Sequence, residues 1–206
     1  VVVTHPNWIR ETGELLESAE LGLRYALVAG GATRNESTRN GLEALDASPE
    51  DVVVIHDAVR PLVPRDVVLR SIEPILSGRA DGTDTVIPSA DTLVVVDGDA
   101  VTEIPERARF RRGQTPQTFR YAVLERAYRA AAAAGDLQAT DDCTLVLRHV
   151  PGARIVAVEG DEVNLKITTR TDMVLADRMI QMRTLGSGAA EPEPTRPLAG
   201  ARIYVV

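Results

Sequence analysis

Short, continuous apolar runs alternate with segments of helical period along most of the chain. Val1–Thr4, Arg24–Gly31, Asp51–Asp57, Asp84–Ser89 and Ala153–Gly160 are rich in Val and Ile and read as strands. Between them lie helical patterns: Ile9 to about Ala19, Asn35–Leu45, Arg65–Leu76, Thr118–Ala134, Asp141–His149 and Thr169–Arg183. Pro74 is expected to disturb the last turn of the third, and Thr171 and Asp172 are candidate caps for the last. Strands that are apolar at every position are covered on both faces, and right-handed crossovers connect them. The pattern predicts an α/β fold with a doubly wound, mainly parallel sheet.

One segment breaks the alternation. Asp91–Arg107 reads as two short strands around Asp97-Gly98-Asp99, a β-hairpin inserted into the domain as an arm. Residues 1–185 form one predicted domain. Residues 186–197 are rich in Pro, Ala and Glu without an apolar period and read as a linker; residues 198–206 turn β-rich again.

Composition narrows the function. Of 206 residues 44% are hydrophobic and 26% charged, ordinary for a domain with a core, and the formal net charge is −7. That charge disfavours a nucleic acid partner, while a local cluster of cations can still hold a small anion. The single cysteine, Cys143, rules out a disulfide framework within the chain and points to a reducing, cytoplasmic setting. No apolar run is long enough to span a membrane.

In open α/β sheets ligands bind beyond the carboxyl ends of the strands. Four predicted strand ends carry polar groups: Gly30, Gly31 and Arg34; Asp57 and Arg60; Asp91 and Thr92; Asp161, Asn164 and Lys166. A carboxylate at a strand end costs desolvation unless it is paired, which a divalent metal or Arg60 would do for Asp57. The Gly-rich stretch Ala29–Ser37 suits close ligand approach and an anion at a helix N-terminus, or an ordinary tight turn. It is neither a Walker A loop nor a dinucleotide fingerprint. Gln114, Thr115 and Gln117 flank Pro116 as neutral donors, with Thr118 a candidate helix cap. Lys166, between Leu165 and Ile167, faces an anion or solvent. His5, His56 and His149 have no metal-site spacing, and His56, alternating with Asp57, is expected to point away from the site. Without a Gly-x-Ser-x-Gly elbow, covalent catalysis has no support.

Taken in order, GGATRNES, HDAVRP, Asp91-Thr92, GQTPQTF and NLKIT resemble the family of cytidylyltransferases acting on polyol phosphates, over roughly Val1 to Met182. Its best-known members use methylerythritol 4-phosphate or ribitol 5-phosphate. The resemblance implies a Rossmann-like sheet of the nucleotide-diphospho-sugar transferase type, CTP and a polyol phosphate as substrates, Mg²⁺ as cofactor, and a homodimer joined through the 91–107 arm. It assigns Gly31, Arg34 and Ser37 to cytosine and ribose. Asp57 falls near metal and substrate, with Arg60 and Thr115 on the substrate and Lys166 near its phosphate. Asp161 is implied as a second metal carboxylate. Thr92 and Arg107 are implied to reach the partner's site. The family's N-terminal Gly-rich, basic loop has no counterpart in this sequence, so the chain alone is expected to be inactive. The segments Asp84–Val94 and Ile104–Phe119 resemble the ribitol 5-phosphate branch, and residues 198–206 resemble the start of a short-chain dehydrogenase. The alternatives are the methylerythritol 4-phosphate enzyme and, in another class, an inactive dimerisation scaffold.

Overall fold

The computed structural model describes residues 1–186, 198 and 200–206. At its centre is β3 (Val52–Ile55), buried at all four positions as its apolar run requires. Its residues divide between two cores. Val53 and Ile55 join Phe119, Leu124, Leu145 and Val146 on one face; Val52 and Val54 meet Ile72 and Ile75 on the other. Helices α2 (Arg34–Glu43), α4 (Tyr121–Ala134) and α5 (Asp142–His149) supply the first face, and α3 (Arg65–Leu76) the second. The α3 span is as expected, and Pro74 lies inside it without ending it.

The sheet also contains β4 (Gly82–Pro88), β7 (Arg111–Arg120), β8 (Ile155–Glu159) and β9 (Ile203–Val205), in the order β8-β4-β7-β3-β9. β8, β4, β3 and β9 run one way, and β7 runs antiparallel to both its neighbours. β1 (Val2–Thr4) and β2 (Leu27–Ala29), with α1 (Ile9–Ser18) between them, form a parallel pair. This pair meets the sheet edge where the Val1 amine donates to the Val205 carbonyl at 2.7 Å. The expected arm is present as β5 (Val95–Asp97) and β6 (Ala100–Glu103), turned at Gly98 with a φ of 62°.

Two expectations change. The stretch around Gln114–Phe119, read as a loop before a helix, is the interior strand β7. Its buried polar residues find partners inside the sheet: the Thr85 hydroxyl donates to the Pro116 carbonyl at 2.6 Å. Pro116, which has no N–H, lies where the β4–β7 register shifts between Asp84 and Thr85. Thr118 consequently caps no helix; its hydroxyl lies 2.9 Å from that of Ser71, and α4 begins at Tyr121. At the N-terminus of α6 (Arg170–Gly186), Asp172 is a cap as expected. Its partner is Thr169, not Thr171: the Thr169 hydroxyl accepts from the Asp172 N–H at 3.1 Å, and the Asp172 carboxylate accepts from the Thr169 N–H at 2.8 Å.

Residues 198–206 are those expected to open a reductase-like domain, and the structure places the described ones against the main sheet. Among them β9 covers the otherwise open edge of β3. Val52 N–H donates to the Arg202 carbonyl at 3.1 Å, Val206 N–H to the Val54 carbonyl at 2.8 Å, and His56 N–H to the Val206 carbonyl at 2.9 Å. Tyr204 and Val206 pack on one core, Leu198 and Ile203 on the other. An alternating apolar segment satisfies an edge strand in this way whatever its distance along the chain. The predicted linker, apart from Gly186 in α6, lies outside the described residues.

Candidate functional site

The end of β3 runs into a tight turn, closed by the Arg60 N–H donating to the Asp57 carbonyl at 2.9 Å. The turn places two cations on one carboxylate oxygen: Lys166 Nζ lies 3.0 Å and Arg60 Nε 3.6 Å from Asp57 Oδ2. Arg60 is buried, and its guanidinium donates to the Asn164 carbonyl at 2.7 Å. Burial lowers the pKa of Arg60, with the Asp57 charge opposing that shift.

Lys166 is brought there by a stitch between the loop after β8 and strand β7. Gln114 Nε2 donates to the Asp161 carbonyl at 2.9 Å, and Asn164 Nδ2 donates to the Thr115 carbonyl at 2.7 Å. Asn164 is fully buried, so these bonds fix the loop where water cannot compete. Thr115 joins the turn directly, its hydroxyl accepting from the Asp57 N–H at 3.0 Å. Asp57, Arg60, Thr115 and Lys166 thus come from three separate segments into one cluster.

His56 belongs to this cluster too, contrary to the expectation from alternation. Its Nε2 is 3.1 Å from the Arg60 carbonyl and its Nδ1 3.1 Å from the Thr115 hydroxyl. β3 ends at Ile55, so the alternation of side chains no longer applies one residue later. Burial lowers the imidazole pKa and favours the neutral ring.

The opposite wall is the Gly30–Gly31 turn and the first turn of α2. A Cβ on Gly31 would lie 2.3 Å from Glu36 Cβ, and one on Gly30 would lie 2.8 Å from Ser37 Oγ, so only glycine lets the turn close on the helix. The start of α2 is a capping box with Thr33 and Glu36. Glu36 N–H donates to Thr33 Oγ1 at 3.1 Å, Ala32 N–H to Glu36 Oε2 at 2.7 Å, and Gly31 N–H to Ser37 Oγ at 3.1 Å. Of the two readings of this stretch, the capped turn is the one these bonds build.

Arg34 extends from this turn to Asp142, with Nη2 2.7 Å from Oδ2. Asp142 is 0% exposed and also accepts from the Tyr128 hydroxyl, while its N–H donates to Gln117 Oε1 at 3.0 Å. Burial disfavours the Arg34 charge, but Asp142 outweighs it and the pKa is raised. Tyr128 is raised well above the usual phenol range by burial and then by Asp142. Cys143, beside this network, is buried, and burial pushes its thiol pKa up, the opposite of an activated nucleophile.

A cleft of about 440 Å³ is lined by Gly30, Gly31, Arg34 and Ser37 on one side and His56 and Asp57 on the other, with Val205 and Val206 of the C-terminal segment also in its wall. A larger cleft of about 650 Å³ lies between α3 and β8; of its charged groups Arg79 is paired with Glu73, and Arg70 with Asp66 and the Glu159 carbonyl.

The carboxylate of Asp161 turns back on its own loop, with Oδ1 accepting from the Val163 N–H at 2.8 Å. Among the described residues no three His, Cys, Asp or Glu gather as a metal site. Asp57 fits a divalent ion as a single protein ligand through Oδ1, because both neighbouring cations sit on Oδ2. Phosphate oxygens and water would complete the shell, as is usual for Mg²⁺. Thr92 and Arg107 are exposed at the base of the arm, where the Arg107 guanidinium donates to the Ala90 carbonyl at 2.9 Å. Neither lines the cleft of its own chain.

Comparison with known proteins matches residues 1–182 to the family described as IspD, 2-C-methyl-D-erythritol 4-phosphate cytidylyltransferase. The 2-C-methyl-D-erythritol 4-phosphate cytidylyltransferase of Geotalea uraniireducens is 46% identical over 156 residues, 75% of this chain and 65% of that protein. The chain therefore spans just under two thirds of that relative's length. The ribitol-5-phosphate cytidylyltransferase of Lactiplantibacillus plantarum is 32% identical over 188 residues, 89% of this chain and 79% of that protein. Among solved structures, 4-diphosphocytidyl-2C-methyl-D-erythritol synthase from Anaerococcus prevotii superposes with a TM-score of 0.77 at 29% identity, covering 87% of this chain and 80% of its own.

Proposed function

The chain belongs to the 2-C-methyl-D-erythritol 4-phosphate cytidylyltransferase family, and from that premise we propose that the protein carrying it transfers CMP from CTP to a polyol phosphate and releases pyrophosphate. The observation that carries this reading is the pairing of Arg60 and Lys166 with Asp57, a carboxylate that lines the cleft whose other wall holds Gly31, Arg34 and Ser37. An oxygen of the polyol phosphate attacks the α-phosphorus of CTP, forming a P–O bond as the bond to pyrophosphate breaks. That oxygen is already ionised, so the reaction needs no strong general base. It needs two polyanions held together and the moving charge stabilised.

Lys166 and Arg60 are suited to hold the phosphate of the polyol, and the wall of Gly31, Arg34 and Ser37 to hold the nucleoside. Asp57 is the group that would hold Mg²⁺, which supplies charge neutralisation between the two phosphates. Thr92 and Arg107 are proposed to serve the neighbouring subunit of a dimer.

Methylerythritol 4-phosphate is the substrate we place first, on the 46% identity of a relative of that name. This reverses the order in which the sequence motifs placed the two polyols. Ribitol 5-phosphate is the second reading, favoured by a relative of that name aligned over 89% of the chain. The test is pyrophosphate release by the complete protein from CTP and Mg²⁺ with each polyol phosphate side by side. Methylerythritol 4-phosphate should give the higher kcat/KM. A preference for ribitol 5-phosphate would restore the other order, and no release with either would leave the scaffold reading.

A further inference from the structure

The hydrogen bonds around His56 admit only one placement of protons on a neutral ring. Nε2 faces the Arg60 carbonyl at 3.1 Å, and a carbonyl only accepts, so Nε2 carries the proton. Nδ1 is then an acceptor, and the Thr115 hydroxyl, 3.1 Å away, must donate to it. The same hydroxyl oxygen accepts from the Asp57 N–H at 3.0 Å. The chain of bonds runs from the Asp57 N–H through Thr115 and His56 to the Arg60 carbonyl. It closes on itself through the Arg60 N–H, which donates to the Asp57 carbonyl at 2.9 Å.

We propose that His56, as the Nε2–H tautomer, is a positioning residue that fixes the Asp57–Arg60 turn and sets the direction of the Thr115 hydroxyl proton. Both ends of the turn are then tied to β7 through Thr115, so Asp57 and Arg60 reach their shared geometry without reorganising when ligand arrives. Thr115 has spent its only proton on the imidazole. Towards a ligand it offers a lone pair, which suits a donating hydroxyl of the polyol and repels a phosphate oxygen. This second consequence rests on the proposed function; the placement of protons does not.

The two are tested separately. In the wild-type protein, ¹⁵N NMR of the imidazole at neutral pH should show His56 protonated at Nε2 and bare at Nδ1. The Nδ1–H tautomer, or an imidazolium, would overturn the proposal whether or not the protein turns over. For the catalytic part, His56→Ala should lower kcat by about 10- to 100-fold, the scale of a small misplacement of reacting groups. KM for CTP should change little, because its proposed contacts lie on the other wall. His56→Asn, whose side-chain oxygen can accept from Thr115 at the Nδ1 position, should recover a substantial part of that loss. Full activity of His56→Ala, or equal losses in both folded variants, would refute a positioning role. Wild-type protein with the expected tautomer but no turnover would refute the function instead.

Discussion

Replacing Asp142 by Asn preserves the shape of the side chain and removes its charge. The carboxylate accepts from two donors, the Arg34 guanidinium at 2.7 Å and the Tyr128 hydroxyl. An amide accepts on one side only; with its oxygen kept on Arg34 its N–H faces the Tyr128 oxygen, which can accept, so the loss falls on the charge of the Arg34 pair. A hydrogen bond to a charged group contributes about 1.5–3 kcal/mol, and breaking a wholly buried ion pair costs about 3–5 kcal/mol. Asp142 is 0% exposed but the Arg34 side chain is 32% exposed, so the less tightly held guanidinium can turn partly to water. The expected destabilisation is therefore about 2–3 kcal/mol, or a fall in Tm of roughly 4–12 °C for a chain of this size. Urea and thermal unfolding measure it, and a double-mutant cycle with Arg34→Gln assigns it to the pair. KM for CTP should rise in the same variant, since Arg34 is held less firmly at the cleft wall. A loss below about 0.5 kcal/mol, additive with that of Arg34→Gln, would refute the reasoning.

Asp57→Asn in the complete protein should lower kcat/KM by about two orders of magnitude or more, the scale of one preorganised electrostatic group, with folding little changed; near-normal turnover would remove Asp57 from the mechanism. Mixing inactive Arg107→Ala and Asp57→Asn proteins should restore activity in one site of each mixed dimer. No recovery after proven subunit exchange would mean that Arg107 acts within its own chain or not at all. His56 has a folded pKa below its ordinary 6.5, so it stabilises the fold fully above that value, and the contribution is lost as pH falls below 6.5 towards the lowered pKa. The unfolding free energy of His56→Gln should lack that part of the acid slope; an identical slope in both proteins would contradict it. Gly41→Ala should be destabilising, because the new Cβ would lie 2.5 Å from Val206 Cγ1 and 2.9 Å from Val3 Cγ2. The same change in a chain ending before Leu198 should cost less, and an undiminished cost would place Val206 elsewhere.

What the sequence made legible is what local period and short motifs encode. β3, α3 and α5 appear almost at their observed bounds because apolar residues recur at the spacing that burial imposes. The hairpin is marked by Gly98 at its turn. Asp57, Arg60 and Lys166 are legible because each stands beyond the carboxyl end of an apolar run, where an open sheet leaves room for a ligand. β7 escaped because an interior strand of Gln, Thr and Pro has no apolar period; its burial is made tolerable by hydroxyls and amides on neighbouring strands. Asp142 escaped for a different reason, and so did the partners of Asn164, itself picked out as a strand-end residue. Arg60 lies 104 residues from Asn164 and Arg34 108 residues from Asp142 along the chain, a separation no local pattern records. β9 shows the same limit, since a short apolar segment carries no sign of which edge it will join.

The capped turn at the start of α2 has a consequence for how charge is distributed over a bound ligand. Glu36 already occupies the place where a free anion would settle against the helix, and its carboxylate repels another. The Gly30–Gly31 turn therefore offers a ligand no anion seat of its own; the positive charge beside it is that of Arg34, and the rest stands with Arg60 and Lys166 on Asp57 across the cleft. Inorganic phosphate would then compete at those cations and leave the glycine turn free.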